Sequence, residues 1–124
     1  LALNFRKSLY TTIHKVFLKI RYNGGEKNML KIDEFRMEME EPKKIYTEEL
    51  GRFSKKYDFL DDFTIVEEPD IDTVDYIYHF NNINGTSKEI INSARDEMYN
   101  HMVKFSKSNG IDDFSRNAHI FIKR

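Results

Sequence analysis

Phe35-Arg36-Met37-Glu38-Met39-Glu40 is the stretch on which the fold turns. Its apolar residues fall at every second position with charged residues between them, the period of a half-buried strand. Ile32 extends the run on one side, and Pro42, which has no amide to give to a ladder, ends it on the other. Beyond the proline, Tyr46, Leu50, Phe53, Tyr57 and Leu60 step by three or four, which predicts a helix over about residues 43–58. Phe63-Thr64-Ile65-Val66 then reads as a short strand, followed by a polar loop from Glu67 to Thr73.

Val74, Tyr76, Tyr78 and Phe80 alternate with Asp75, Ile77 and His79, a second strand pattern, and Asn81 to Gly85 reads as a turn. Thr86-Ser87-Lys88-Glu89 has the spacing of a capping box, in which the threonine hydroxyl and the glutamate carboxylate each satisfy a free amide. Behind it Ile90, Ile91, Ala94, Met98, Met102 and Phe105 mark a long amphipathic helix to about residue 108, closed by Asn109-Gly110. Ala118, Ile120 and Ile122 form a terminal strand.

From residue 30 onward the expected order is therefore strand–helix–strand–strand–helix–strand. That order resembles the split βαβ, ferredoxin-like arrangement: an α+β fold with four antiparallel strands and two helices on one face. The resemblance is one of element order over residues 30–124, not of motif, so it carries no functional residue with it. Ahead of this domain, assigned to residues 26–124, stands a basic segment of residues 1–25. Phe5, Leu9, Ile13, Val16, Phe17 and Ile20 recur there at helical spacing, and Asn23-Gly24-Gly25 would stop the helix. Val16, Leu18, Ile20 and Tyr22 also alternate as a strand would, so a helix is expected for about residues 4–18 and residues 19–22 stay open.

The chain has 124 residues, no cysteine and no tryptophan. That length suits one core, and the lack of thiols excludes disulfide scaffolds, cysteine-zinc sites, thiol nucleophiles and iron–sulfur clusters. No apolar run approaches the ~18 residues that span a bilayer, and no secretory signal is recognisable, so a soluble, cytoplasmic protein is expected. The chain does not begin with Met, so trimming, or excision from something longer, is expected. Asn84-Gly85-Thr86 has sequon spacing, which has meaning only in a secreted chain.

A net charge of −1 conceals a polarised chain. Residues 1–25 carry +5 with no acid, residues 26–75 carry −8, and residues 76–124 carry +2. No Lys or Arg stands between Lys56 and Lys88. A basic start and an acidic middle are explained most simply by their meeting each other, within one chain or across a homodimer.

Four groupings of residues could carry chemistry. On the expected sheet Glu38, His79 and His119 all point away from the helices, with Glu38 on a central strand flanked by the strands bearing the histidines. Two His and one carboxylate suit acid–base work or a metal, and they are the candidate catalytic set. Asp70, Asp72 and Asp75 supply oxygens of the kind that hold hard cations and are the candidate metal ligands, although a solvated hairpin loop is the plainer reading. Glu97 and His101 stand at i, i+4 on the long helix, where pairing or exposure is expected. The basic residues Arg6, Lys7, Lys15, Lys19 and Arg21 beside an apolar stripe have the composition of a partner-docking or peripheral membrane helix.

Tyr76, Tyr78 and Phe80 could stack bases if the sheet bound RNA, but the flanking acids oppose nucleic acid and the core is the better place for them. The phosphate-loop, GxSxG and HExxH patterns are absent, and no resident cofactor is expected. The expected function is a non-catalytic protein-binding or regulatory module that self-associates. The alternatives are a small metal-dependent or acid–base enzyme using Glu38, His79 and His119, and an RNA-binding domain with an aromatic sheet face.

Overall fold

The computed structural model describes residues 26–123. The expected helix over residues 4–18 and the basic residues Arg6, Lys7, Lys15, Lys19 and Arg21 lie outside the described residues. The chain divides into two compact units, Leu1–Glu40 with Pro69–Val74, and Glu41–Glu68 with Asp75–Arg124.

In the first unit the decisive stretch is helical. Helix α1 runs Glu26–Glu38, so residues 32–39 do not form a strand. Apart from Ile32 the segment is built of Leu, Lys, Glu, Arg, Met, Phe, Asp and Asn, with no run of β-branched residues to favour a strand. Asp33 and Met37, four apart and therefore on one helical face, are both buried, as is Met39 just beyond the helix. Arg36 pairs with Asp33 at 3.3 Å across one turn. The last bond of the helix is Met39 N–H to Phe35 C=O at 2.9 Å. Pro42 explains the stop: it has no N–H for the Glu38 carbonyl, and its ring crowds the carbonyl four residues back. The same unit holds a tight turn in which the Asp70 amide donates to the Thr73 carbonyl at 2.9 Å.

Helix α2, Glu40–Ser54, begins immediately and places Pro42 in its first turn, where a missing amide costs nothing. Strands β1 (Thr64–Pro69) and β2 (Val74–Asn81) follow, then the 21-residue helix α3 (Lys88–Ser108), the one-turn helix α4 (Phe114–Asn117) and strand β3 (Ala118–Lys123). The sheet order is β1-β2-β3. Strands β2 and β3 are parallel, in the register Tyr76↔Ala118, Tyr78↔Ile120 and Phe80↔Ile122. With α3 as the crossover they make a βαβ unit, and β1 completes a mixed sheet. The fold is α+β, but its sheet is three-stranded and mixed, not the four-stranded antiparallel sheet of a ferredoxin-like domain. That expectation fails because residues 32–39 supply no strand.

The core of the second unit is laid down by period. Tyr76, Tyr78 and Phe80 from β2, and Ala118, Ile120 and Ile122 from β3, are all buried, as are Ile91, Ala94, Met98 and Met102 from α3. Tyr46 of α2 meets Phe114 edge-on at 5.1 Å, and Phe63 meets Tyr78 and Phe80 at 5.2 and 5.3 Å. Burial pushes the Tyr46 and Tyr78 phenols up to about 12. Both hydroxyls are bonded: Tyr46 donates to the Asp112 carbonyl, and Tyr78 shares a hydrogen bond of 3.1 Å with Thr47.

Helix α3 ends as its sequence suggests. Gly110 takes a φ of 64°, and its amide and that of Ile111 return to the carbonyls of Lys107 and Ser106. Its start differs from the expected capping box. Ser87 is the N-cap and makes no side-chain cap bond. The Thr86 amide donates instead to Asn82 Oδ1 at 3.1 Å, part of a turn in which Asn82 also donates to the Thr86 carbonyl.

Candidate functional site

Alternation along the strands sorts the sheet into two faces. Tyr76, Tyr78, Phe80, Ala118, Ile120 and Ile122 face the helices, so Asp75, Ile77, His79, His119, Phe121 and Lys123 face away. On β1, Glu67 reaches Lys43 of α2 at 3.6 Å, which turns Val66 to the same far side. This far face exposes two large apolar side chains: Phe121 is 48% exposed and Val66 43%.

The predicted candidates separate on this frame. His79 and His119 are both on the far face, but their strands are neighbours, with no strand between them. His119 registers with Ile77, and its Nε2 lies 3.8 Å from Asp75 Oδ2. His79 registers with Phe121, and the two rings sit 4.8 Å apart. Glu38 is corrected: it is an exposed residue of α1, in the other unit, and no strand carries it. The set Glu38, His79 and His119 therefore loses the shared sheet on which its convergence depended. Asp70 and Asp72 lie in the turn before β2, where Asp70 Oδ1 accepts from the Ile71 amide at 2.8 Å, while Asp75 is on β2 beside His119. Among the described residues no group of three His, Asp or Glu side chains is placed to hold a metal ion. Tyr76, Tyr78 and Phe80 are 0–1% exposed, so a base cannot reach their rings.

The polar feature that sequence reasoning missed lies between α2 and α3. Glu49 is 7% exposed, on the helical stripe of Tyr46, Leu50 and Phe53, and its Oε2 lies 2.6 Å from His101 Nε2. Its other oxygen meets the Arg52 guanidinium. The imidazole stacks on Phe53 at 4.0 Å, and Phe105 is 6.3 Å away. Burial, followed by the positive charges of Arg52 and Lys56, holds His101 below the ordinary imidazole value. The ring is then neutral at pH 7 and donates Nε2–H to Glu49.

Glu97, one turn earlier on α3, does not pair with His101. It takes Lys56 at 2.6 Å and the Tyr57 hydroxyl, and these bonds hold its carboxyl below the usual range. Burial and the Glu97 contact raise the Tyr57 phenol. A carboxylate-oriented imidazole has the form of a general base. Here its ring is laid against Phe53, and its bonds clasp two helices. The legible signal was a glutamate on an apolar stripe, since a buried carboxylate demands a partner.

Among the described residues no helix is long and apolar enough to cross a membrane. Comparison with protein families, curated proteins and solved structures finds no match to this chain.

Proposed function

We propose that this chain is a non-catalytic protein-binding or regulatory module that associates with a second copy of itself, and that the far face of its sheet is the contact surface. The observation that supports this most directly is the pair of large apolar side chains, Val66 and Phe121, exposed on one sheet face with Ile77 half-buried on the strand between. The occupant follows from charge. The same face carries Asp75 against His119, with Lys123 at its end, so it offers both signs and can meet its own copy about a two-fold axis. A net charge of −1 sets no long-range repulsion against such a pair. The basic residues Arg6, Lys7, Lys15, Lys19 and Arg21 complement the acids from Asp58 to Asp75 and would add to the same association.

Sedimentation equilibrium of the full chain, from low micromolar to submillimolar, tests this reading. A monomer–dimer equilibrium is expected, weakened about tenfold or more by Val66→Asp, which places a charge at an exposed position and spares the core. A strictly monomeric chain, or a dimer indifferent to Val66→Asp, overturns it.

A further inference from the structure

We propose that the outer edge of β3, with the cavity beside it, binds an extended acidic segment of another protein, which joins the sheet as a fourth strand. This site shares Phe121 and Lys123 with the sheet face assigned above to self-association, but it engages its partner through the strand edge and the α3 side of the cavity. Three observations carry it: the direction of the β3 backbone, the cavity at its side and the charge of that cavity's lining.

The backbone direction follows from one bond. Lys123 C=O accepts from the Asn82 amide at 3.0 Å, so Lys123 turns its peptide groups toward β2. Successive residues of a strand turn theirs to opposite edges, so Phe121 and His119 also serve β2 while Ile120 and Ile122 face outward. Ala118 agrees with this parity, because its amide goes to the Phe114 carbonyl and not to β2. Among the described residues β3 is the last strand of the order, so the N–H and C=O groups of Ile120 and Ile122 lie along an edge that no described strand pairs. Such an edge is a template for pairing unless it is short, bulged, charged or covered. Ala118–Lys123 has six residues, no proline and a single charge at its end, so the strand's own sequence does not guard its edge.

Beside this edge is a cavity of about 310 Å³, lined by Ile91, Asn92 and Arg95 of α3 and by Phe121, Ile122 and Lys123 of β3. Its lining combines three apolar side chains, Ile91, Phe121 and Ile122, with two cations, Arg95 and Lys123, and no acid. The Arg95 guanidinium has an exposed contact of 3.2 Å with Asp96, which offsets part of its charge. An edge strand flanked by a groove that receives alternate side chains is the physical arrangement of strand addition, where backbone bonds give affinity and the groove gives choice. Apolar side chains together with cations select a segment in which aliphatic and acidic residues alternate. The chain's own residues 1–25, with five basic and no acidic side chains, carry the wrong sign for this lining.

The probe is a fluorescent, N-acetylated heptapeptide of alternating valine and glutamate, titrated against the full chain by anisotropy. Binding is expected, with at least tenfold weaker binding of the valine–lysine counterpart. The Arg95→Glu variant, an exposed helical position whose fold is checked by circular dichroism, is expected to reverse that preference. N-methylation of one alternate set of peptide amides is expected to abolish binding, while methylation of the other set leaves it intact. Hydrogen exchange on the same complex is expected to show new protection at the amides of Ile120 and Ile122. Absence of binding, equal binding of the two peptides, or indifference to both methylated sets overturns the proposal. Protection of Ile120 and Ile122 that rises with protein concentration in the absence of peptide also overturns it, by assigning the edge to a second copy. Self-association that responds to Val66→Asp and not to Arg95→Glu concerns the sheet face alone, so the two readings fail separately.

Discussion

Glu49 and His101 show how a single hydrogen-bonded pair can set a stability window. The imidazole is held below its ordinary value of 6.5 by burial, then by Arg52 and Lys56, with Glu49 as its hydrogen-bond partner. In the unfolded chain that histidine takes up a proton more readily, so acidification favours the unfolded state. The contribution is complete above about pH 6.5 and is lost as pH falls through the lower folded value. Urea-unfolding midpoints taken from about pH 7.5 down to about 5.5 should therefore decline, and His101→Gln should remove part of that decline. Every other group is common to the two proteins, so the difference between them isolates the imidazole. An identical pH profile for the variant would show that Glu49 keeps the protonated ring as comfortable as the neutral one.

At the scale of elements, the contrast between two alternating stretches explains what was legible. Val74 to Phe80 alternates with β-branched and aromatic residues, and it is a strand with each of Val74, Tyr76, Tyr78 and Phe80 buried. Phe35 to Glu40 alternates as regularly, yet beyond Phe35 its residues are Met, Glu and Arg, whose straight side chains lose little freedom in a helix. There Met37 is buried with Asp33, one turn away, so the period that matters is four and the apparent period of two is incidental. Burial of an aspartate was also what no apolar count could reveal. The far face of the sheet was legible for His79 and His119 because alternation alone decides it, whereas the partner of His101 was not, since Glu49 lies 52 residues away. Pro42 is the element-scale cause of the break between α1 and α2, and it can be tested directly. Pro42→Ala restores the amide that the Glu38 carbonyl lacks and should join Glu26–Glu38 to Glu40–Ser54 in one hydrogen-bonded ladder. Helical Cα chemical shifts at Met39 and slowed exchange of the amide that the substitution introduces are the expected signatures. If the break persists, the burial of Met39, which is 1% exposed, holds the chain there instead.

For the whole molecule, the position of β3 in the chain matters most. The strand is the last described element, yet it lies beside β2, more than forty residues earlier by the register Tyr76↔Ala118, with α3 packed against it. It supplies Ala118, Ile120 and Ile122 to the core and the whole of the parallel ladder. Full burial of two isoleucines alone stabilises by about 3–6 kcal/mol, a large share of the roughly 5–15 kcal/mol that a domain of this size holds in total. Ending the chain after Asn117 should therefore abolish cooperative thermal unfolding, with the far-UV helical signal of α3 lost or reduced. Ending it after Lys123 removes no residue of the ladder and should leave the transition in place. The pair of truncations separates two accounts of the fold. If the shorter chain still melts cooperatively, the helices and the β1–β2 pair suffice, and β3 is an added strand on a finished core. If it does not, the second unit closes only when its last strand is laid beside β2, and the strand whose outer edge is proposed to receive a partner segment is also the strand that completes the core.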